Sequence, residues 1–259
     1  MSHPLLTVAL GALDVAIEEL KHQNNTVIGT KSTKTDVITG ADRALEAAIK
    51  NYIRDQRPED VFLGEEFGSS GEGETRWIID PIDGTVNFTY GIPAYAISIA
   101  AEVDGMVEVG IVHDLGRDET FVAVAGQGVT LNSSPISASG VQRLEKTLCG
   151  TGSAYLGSTR IKQAQLVTQL IGEIRDIRRF GAAALDICWV GCARLDAYFE
   201  TGLKIWDYAA ASLVALEAGA MFETGLAGFD DGLLTIASAS GIFELLKVRV
   251  TDAIAAIES

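Results

Sequence analysis

Apolar residues recur at helical spacing in two segments near the start of the chain, residues 5–22 and residues 42–53. This period predicts two amphipathic helices. Thr39 is the candidate N-cap of the second helix and Asp42 lies in its first turn, so Asp42 has an ordinary interpretation as a helix stabiliser. The polar stretch over residues 23–35 predicts a loop or a flexible hairpin between the helices.

Shorter apolar runs predict strands in the next part of the chain. Residues 61–63 and 76–79 have strand length, and an exposed connection rich in Gly, Ser and Glu over residues 65–75 separates them. Three further segments, apolar or alternating, are joined by short turns. We expect these segments to form an antiparallel meander of residues 95–103, 107–113 and 119–125.

Small and polar residues over 134–139 and 150–157 mark a seam in the chain. We therefore expect an amino-terminal half, residues 1–140, and a carboxyl-terminal half, residues 141–259. In the second half the patterns predict helices over 161–171, 181–193, 208–218 and 242–246, and strands over 176–180, 196–200, 219–223, 234–237 and 247–250. Helices and strands therefore alternate along both halves of the chain.

The composition narrows the classes of partner. The chain has 259 residues and a formal net charge of −15, which argues against nucleic acid and anionic membranes because both need a basic face. No apolar run approaches the ~20 residues that span a bilayer, and the amino terminus lacks the features of a secretory signal. Cys149, Cys188 and Cys192 form no paired framework, which is typical of a reducing cytosol, so we expect a cytoplasmic protein.

Residues 77–88 place two carboxylates beside the end of a predicted strand. Asp80 follows the apolar run directly, at the sheet edge where open α/β sheets bind ligands. Pro81 fixes its own φ near about −65°, which turns the chain and lets Asp83 return toward Asp80. The spacing therefore predicts two carboxylates directed at one point, as in a divalent-metal site.

A phosphate cradle is predicted directly after these carboxylates. Gly84 permits close approach of the backbone, and its N–H and that of Thr85 open a helix whose amino end favours an anion. The same Asp-Pro-x-Asp-Gly pattern is also common in simple turns, in which Asp caps a helix and Gly takes positive φ. Taken alone, the motif leaves both interpretations open.

Two further carboxylates favour the metal site over the simple turn. Glu65 closes the strand over residues 61–63, and Asp207 opens the helix over residues 208–218, where it either caps the helix or reaches the metal. Mg2+ takes oxygen ligands in near-octahedral geometry and shares them with substrate phosphate. The ligand set predicted in this way is chemically sufficient and comprises Glu65, Asp80, Asp83 and Asp207.

Three motifs occur in the order Gly64-Glu65-Glu66, Asp80-Pro81-Ile82-Asp83-Gly84-Thr85-x-Asn87-Phe88 and Trp206-Asp207-x-Ala209-Ala210-x-x-Leu213-x-x-x-Glu217-Ala218-Gly219. In this order and at this spacing they resemble the motifs of the inositol monophosphatases, within the wider superfamily of Mg2+-dependent, lithium-sensitive phosphatases. Residues 31–42 resemble the family's mobile loop and its Asp-x-x-Thr-x-x-Asp segment. The resemblance covers nearly the whole chain. It implies an α+β fold, the layered α-β-α-β-α sandwich of the inositol monophosphatase and fructose-1,6-bisphosphatase type.

The resemblance also implies a role for each site residue. One Mg2+ would be held by Glu65, Asp80 and the carbonyl of Ile82, and would activate the attacking water. A second would be held by Asp80, Asp83 and Asp207 and would stabilise the leaving alkoxide, while Glu65 would also reach a third, weaker ion. The catalytic residues implied are Glu65 together with the water-orienting pair Thr85 and Asp42. The substrate-binding residues implied are Gly84, Thr85, Ala183, Glu200 and Asp207.

Among substrates, the resemblance favours a myo-inositol monophosphate. Glu200 lies seven residues before Asp207, the family's spacing for a carboxylate that binds ring hydroxyls, although an exposed strand-end acid has the same pattern. Gly181-Ala182-Ala183-Ala184 resembles the Gly-Thr-Ala segment of this pocket, with Ala182 in place of Thr. Histidinol phosphate and 3′-phosphoadenosine 5′-phosphate stay open as substrates, as does a catalytically idle binding or regulatory member. The family also implies a homodimer and inhibition by Li+.

Overall fold

Helices and strands alternate along the chain. The computed structural model describes residues 3–24, 26–30, 37–71 and 73–259. Within these ranges the helices are α1 (Pro4–Leu20), α2 (Gly40–Gln56), α3 (Thr85–Tyr90), α4 (Gly157–Leu170), α5 (Ala183–Gly191), α6 (Ile205–Glu217) and α7 (Phe243–Glu258). The strands are β1 (Val27–Thr30), β2 (Val37–Thr39), β3 (Val61–Gly64), β4 (Gly68–Ser70), β5 (Thr75–Asp83), β6 (Ala96–Val103), β7 (Met106–Asp114), β8 (Glu119–Val124), β9 (Gly128–Leu131), β10 (Ser134–Pro135), β11 (Leu148–Thr151), β12 (Asp176–Arg178), β13 (Ala197–Thr201), β14 (Ala220–Ala227) and β15 (Leu233–Ala239).

The strands form a short hairpin and two larger sheets. β1 pairs with β2 in the antiparallel hairpin. An eight-stranded sheet has the order β10-β9-β8-β7-β6-β5-β3-β4, and a five-stranded sheet has the order β12-β11-β13-β15-β14. In the larger sheet β3 and β5 run parallel, whereas β6, β7 and β8 are antiparallel neighbours. The meander predicted from the sequence is therefore confirmed.

Apolar cores stack the sheets and helices in layers. α1 and α2 cover one face of the eight-stranded sheet through side chains such as Leu13, Leu45 and Trp77. α5 and α6 pack between the two sheets, and α4 and α7 cover the outer face of the five-stranded sheet. The order of layers is α-β-α-β-α, so the predicted α+β sandwich is confirmed.

The first two helices follow the predicted apolar periodicity. Thr39 caps α2 as expected: its Oγ1 accepts the N–H of Asp42 at 3.3 Å, and Asp42 Oδ2 accepts the N–H of Thr39 at 2.7 Å. The segment over residues 23–35, predicted as a loop or a flexible hairpin, contains β1, which pairs with β2 just beyond the segment. Residues 31–36, the first half of the 31–42 segment that resembles the family's mobile loop and its Asp-x-x-Thr-x-x-Asp segment, lie outside the described residues.

Some predicted elements are wrong. Residues 247–250 are not a strand, because they lie inside α7, which buries Val250. The connection over residues 65–75 contains the short strand β4, which pairs with β3. Gly150 and Thr151, expected in a polar seam, belong to β11 and pair with β13 inside the five-stranded sheet.

The two large sheets draw their strands from different parts of the chain. All strands of the eight-stranded sheet precede residue 140, and all strands of the five-stranded sheet follow it. This separation supports the division into residues 1–140 and 141–259, which stays a prediction. No helix among the described residues has the length and apolar character that a membrane span requires.

Candidate active site

Two of the candidate carboxylates lie on one strand. β5 does not stop at Asp80, as expected, but continues through Pro81 to Asp83. Its register with β6 shifts between Asp80 and Asp83, where Pro81 has no N–H to donate to the ladder. Both carboxylates are buried, and Asp80 Oδ1 accepts the N–H of Ile82 at 3.1 Å. The irregular strand end places both side chains in the wall of the same cavity.

A hydroxyl and an acid meet beside this strand end. Gly84 takes a left-handed φ of 88°, and a Cβ there would lie 2.9 Å from the carbonyl oxygen of Ala94, so glycine is required before α3. Thr85 Oγ1 lies 3.2 Å from Asp42 Oδ1 and 3.1 Å from the carbonyl oxygen of Ile82. The fold thus brings together Thr85 and Asp42, which are 43 residues apart in the sequence.

Asp83 ties the eight-stranded sheet to the start of α5. Its Oδ1 accepts the N–H of Ala183 at 3.2 Å, and its Oδ2 accepts the N–H of Ala184 at 2.7 Å. Burial raises the pKa of Asp83 to about 7; the charges of Glu65 and Glu200 add to the rise, and the two backbone bonds oppose it. The cavity therefore holds acids that repel one another in a weakly polar environment.

Asp207 combines the two roles that the sequence left open. It lies in the first turn of α6, and its Oδ2 accepts the N–H of Lys204 at 2.6 Å, so it caps the helix. The same side chain lines the cavity. Burial raises the pKa of Asp207 well above its ordinary value, and the charge of Asp83 raises it further. Asp207 can therefore cap α6 and belong to the acid cluster at the same time.

A buried acid that sequence reasoning missed supports the segment after β3. Glu65 follows β3 as predicted, and the next two N–H groups, those of Glu66 and Phe67, donate to the carboxylate of Glu46 at 2.7 and 3.3 Å. Glu46 is fully buried on α2. Its sequence signal is spacing, because it lies four residues after Asp42 on the same helix.

A cavity of about 820 Å³ collects the candidate residues. This volume is within the range of small-molecule sites. Asp42 does not line the cavity but reaches it through Thr85. Cations also reach the wall, through Arg43, Arg179 and Lys204. The candidate metal and substrate residues in the wall are Glu65, Asp80, Ile82, Asp83, Gly84, Thr85, Ala183, Glu200 and Asp207.

Glu200 is a half-buried part of this wall and not the exposed strand-end acid that the sequence also allowed. It lies on β13 and accepts a hydrogen bond from the hydroxyl of Tyr198. Gly152 makes room for it, because a Cβ at that position would lie 1.8 Å from Glu200 Oε2. Burial raises the pKa of Glu200 to about 7, and the Tyr198 bond and the charge of Arg179 oppose the rise.

Comparison with known proteins assigns the chain to a family. Residues 2–251 match the profile of the inositol monophosphatase family. The chain belongs to this family. The inositol-1-monophosphatase of Mycobacterium bovis is 41% identical to it over 231 residues, which cover 85% of this chain and 79% of that protein.

Two further relatives match almost from end to end. The Nus factor SuhB of Pasteurella multocida is 36% identical over 256 residues and covers 95% of each chain. The crystal structure of the extragenic suppressor protein SuhB from Bartonella henselae has a TM-score of 0.86 at 31% identity and covers 96% of this chain and 98% of that one. The inositol monophosphatase fold therefore extends over the whole chain.

The carboxylate oxygens that line this cavity fit a hard cation by their chemistry. The charge of Glu65 raises the pKa of Asp83, and the charge of Asp83 raises that of Asp207, so these carboxylates gain from a nearby divalent charge. As the side chains stand, the described residues contain no group of three or more acidic, histidine or cysteine side chains that could hold one ion. Asp80, Asp83 and Asp207 instead accept backbone N–H groups. A bound ion would therefore replace some of these bonds.

Proposed function

We propose that this chain is a Mg2+-dependent phosphatase that hydrolyses myo-inositol monophosphate to myo-inositol and phosphate. The observation that carries the proposal is the single cavity that receives the acid cluster, Thr85 and the half-buried Glu200. Acids without a cation would repel a phosphate dianion, whereas the same acids with bound Mg2+ attract it. Membership of the inositol monophosphatase family supports this activity.

The same carboxylates would hold the ions. We assign Glu65, Asp80 and the carbonyl oxygen of Ile82 to one Mg2+, and Asp80, Asp83 and Asp207 to a second, with Glu65 also near a third. When bound, such ions neutralise the phosphate, align it and make water more acidic. Removal of a single carboxylate should therefore affect both metal binding and hydrolysis.

The Thr85–Asp42 pair would orient the attacking water. Thr85 lines the cavity, and its Oγ1 lies 3.2 Å from the fully buried Asp42 Oδ1. In this position the hydroxyl can accept a hydrogen bond from water while it donates to Asp42, so a proton leaving the water has a path to a carboxylate. The N–H groups of Gly84 and Thr85 would donate to the phosphate oxygens.

Two other classes of substrate stay open, and the cavity treats them differently. Histidinol phosphate carries an amine that acidic groups attract, and 3′-phosphoadenosine 5′-phosphate carries a second phosphate that they repel. Glu200, which is outside the proposed metal-ligand set and lines the cavity, is the acid that would disfavour a second phosphate in the bisphosphate. Glu200 and Ala183 would contact the alcohol part of the preferred substrate, and both line the cavity.

A binding or regulatory function has one observation in its favour, the 36% identity with the Nus factor SuhB of Pasteurella multocida. Loss of a metal ligand would favour a catalytically idle protein. All four proposed ligand side chains are present in this chain and line one cavity. We therefore propose catalysis as the first function.

The deciding experiment measures phosphate release from a panel of monoesters, with Mg2+ and with excess chelator. Asp80→Asn and Asp207→Asn should abolish hydrolysis while circular dichroism shows a folded protein, because each removes a charge that holds the ions. Asp176→Asn on β12 is the matched control, since this exposed acid lies outside the cavity. Full activity in chelator, or in Asp80→Asn, would contradict the mechanism.

The remaining family properties are proposals of the same kind. We infer a homodimer, inhibition by millimolar Li+ and a cytoplasmic location, the last supported by three cysteines that are all free thiols. Light scattering at micromolar concentration tests the dimer. A titration of the Mg2+-dependent rate with LiCl, against NaCl at the same ionic strength, tests the inhibition.

A further inference from the structure

A second acid outside the proposed metal cluster faces the cavity. Asp186 lies in the first turn of α5 and lines the cavity, yet only 1% of it is exposed to solvent. Its Oδ1 is buried and has no hydrogen-bond partner among the described residues. Most buried polar atoms in folded proteins have such a partner, so an unpartnered carboxyl oxygen requires an explanation.

The surroundings of Asp186 show a built site rather than a packing accident. Burial raises the pKa of Asp186 well above its ordinary value, and the charges of Asp83 and then Glu200 raise it further. Two glycines make room for the acids, Gly150 in β11 and Gly152 directly after it: a Cβ at Gly150 would be 3.6 Å from the Cβ of Asp186, and one at Gly152 would be 1.8 Å from Glu200 Oε2. This part of the chain therefore leaves room for two carboxyl groups at one wall of the cavity.

Neighbouring residues supply only some of the hydrogen bonds and positive charge that could stabilise these two acids. The Tyr198 hydroxyl bonds Glu200, and Arg179 is close enough to favour the charged form of both acids. The Arg179 guanidinium reaches Ser153 instead, with its Nη2 3.4 Å from Ser153 Oγ. Both acids line the cavity, and the Oδ1 of Asp186 has no partner among the described residues.

We propose that Asp186 and Glu200 form a paired-carboxyl subsite that binds the hydroxyl groups of the substrate's alcohol part, which makes Asp186 a specificity-determining residue. The inference rests on the proposed function. The carboxyl oxygens of Asp186 and Glu200 can accept hydrogen bonds from hydroxyl groups, and a carboxyl that carries a proton can also donate one. A second anionic group on the substrate would meet repulsion at this wall.

The test compares substrates that differ only in the alcohol part. Asp186→Asn and Glu200→Gln should each lower kcat/KM for inositol 1-phosphate by about 10- to 100-fold, mainly through KM, as expected for a lost charge-assisted hydrogen bond. p-Nitrophenyl phosphate has no hydroxyl, so its kcat/KM should change less than about threefold. The double variant should lose less than the product of the single losses, because both acids serve one subsite.

Two further variants separate recognition from structure. Asp196→Asn is the matched control, since Asp196 is another partly buried acid of the same half, accepts the N–H of Leu148 at 2.8 Å and lies outside the cavity. It should lower stability without changing the ratio of the two substrates. If Asp186→Asn does not fold, Asp186→Ser removes the charge in a smaller side chain. Equal losses for both substrates, or no loss for either, would overturn the proposal.

Binding of free myo-inositol, measured by calorimetry in the presence of Mg2+ and phosphate, keeps the inference distinct from the proposed function. If wild type hydrolyses no monoester, the proposed function fails. Binding of myo-inositol that is lost in Asp186→Asn would still support the subsite. Binding that is equal in wild type and variant, or absent from wild type, would overturn it.

Discussion

At the scale of single residues, the acids around the cavity are held mainly by backbone N–H groups. Asp83 accepts from Ala183 and Ala184, and Asp207 accepts from Lys204. Each acid therefore fixes a helix start as well as facing the cavity. An N–H group that loses its acceptor inside a protein carries a desolvation cost, so substitutions of these acids test structure and chemistry together.

A substitution of Glu46 separates the structural effect from the chemical effect, because Glu46 supports the site without lining the cavity. Glu46→Ala should lower the free energy of unfolding by about 1 to 3 kcal/mol, since it leaves the N–H groups of Glu66 and Phe67 without an acceptor. It should also weaken Mg2+ binding about 10-fold or more by releasing Glu65. Urea denaturation and Mg2+ titration of the rate measure the two quantities.

Gly64→Ala tests the same contact from the other side. A Cβ at position 64 would lie 1.8 Å from Glu46 Oε1, so the carboxylate must move away from the segment that it holds. We expect weaker Mg2+ binding, as in the Glu46 variant. Glu18→Gln on α1 is the control, because it changes an exposed acid. Unchanged Mg2+ affinity in both Gly64→Ala and Glu46→Ala would show that Glu46 does not position Glu65.

At the scale of elements, the amino end of α2 connects helix stability with catalysis. Thr39 caps the helix and donates its hydroxyl hydrogen to Asp42 Oδ2 at 2.6 Å, while Asp42 Oδ1 faces Thr85. Thr39→Ala should cost about 1 kcal/mol of stability and lower kcat with little change in KM, because Asp42 loses its fixed orientation. Thr39→Ser keeps the hydroxyl and should restore both. A normal kcat in Thr39→Ala would show that the helix cap does not orient Asp42 for catalysis.

Elements with strong local signals could be predicted from the sequence. α1 and α2 have long apolar periodicity, and α2 has its cap in the sequence. The failures lie where tertiary packing decides. Residues 247–250 alternate as a strand does, yet they continue α7 because this helix buries Leu246 and Val250 on the outer core. The continuation of β5 through Pro81 depends on pairing with β6, which no local pattern encodes.

The candidate site divides in the same way. Asp80, Asp83 and Asp207 could be located because each stands at a boundary between a predicted element and a turn. Asp186 and Glu46 lie inside helices, where an acid usually indicates a solvent-facing position. Their burial depends on neighbours distant in the sequence, β11 beneath Asp186 and Gly64 beside Glu46. Such positions become visible only once the layers are assembled.

At the scale of the whole molecule, the buried acids make stability depend on pH. Burial raises the pKa of Glu200 from 4.5 to about 7, so the folded protein binds this proton more tightly than the unfolded chain. The contribution is present in full below about pH 4.5 and is lost as the pH rises through about 7, which corresponds to at most about 3 kcal/mol. In chelator, urea denaturation of wild type should show this loss. The loss of stability should be smaller in Glu200→Gln. Identical dependence of the unfolding free energy on pH in wild type and variant would contradict the raised pKa of Glu200.

Mg2+ should reverse this trend, because it binds deprotonated carboxylates. Burial raises the pKa of Asp83 to about 7, so protons compete with the ion more strongly at about pH 6 than at about pH 8. A ligand that binds only the folded state stabilises it by mass action, with about 2.7 kcal/mol at a concentration of 100 times Kd. We therefore expect Mg2+ to raise the Tm at both pH values and to raise it more at the higher one.

NaCl at equal ionic strength controls for screening of the net charge of −15, and Asp80→Asn controls for the site. An equal rise in Tm with NaCl, or in Asp80→Asn, would show that Mg2+ acts on the surface charge and not on the acid cluster.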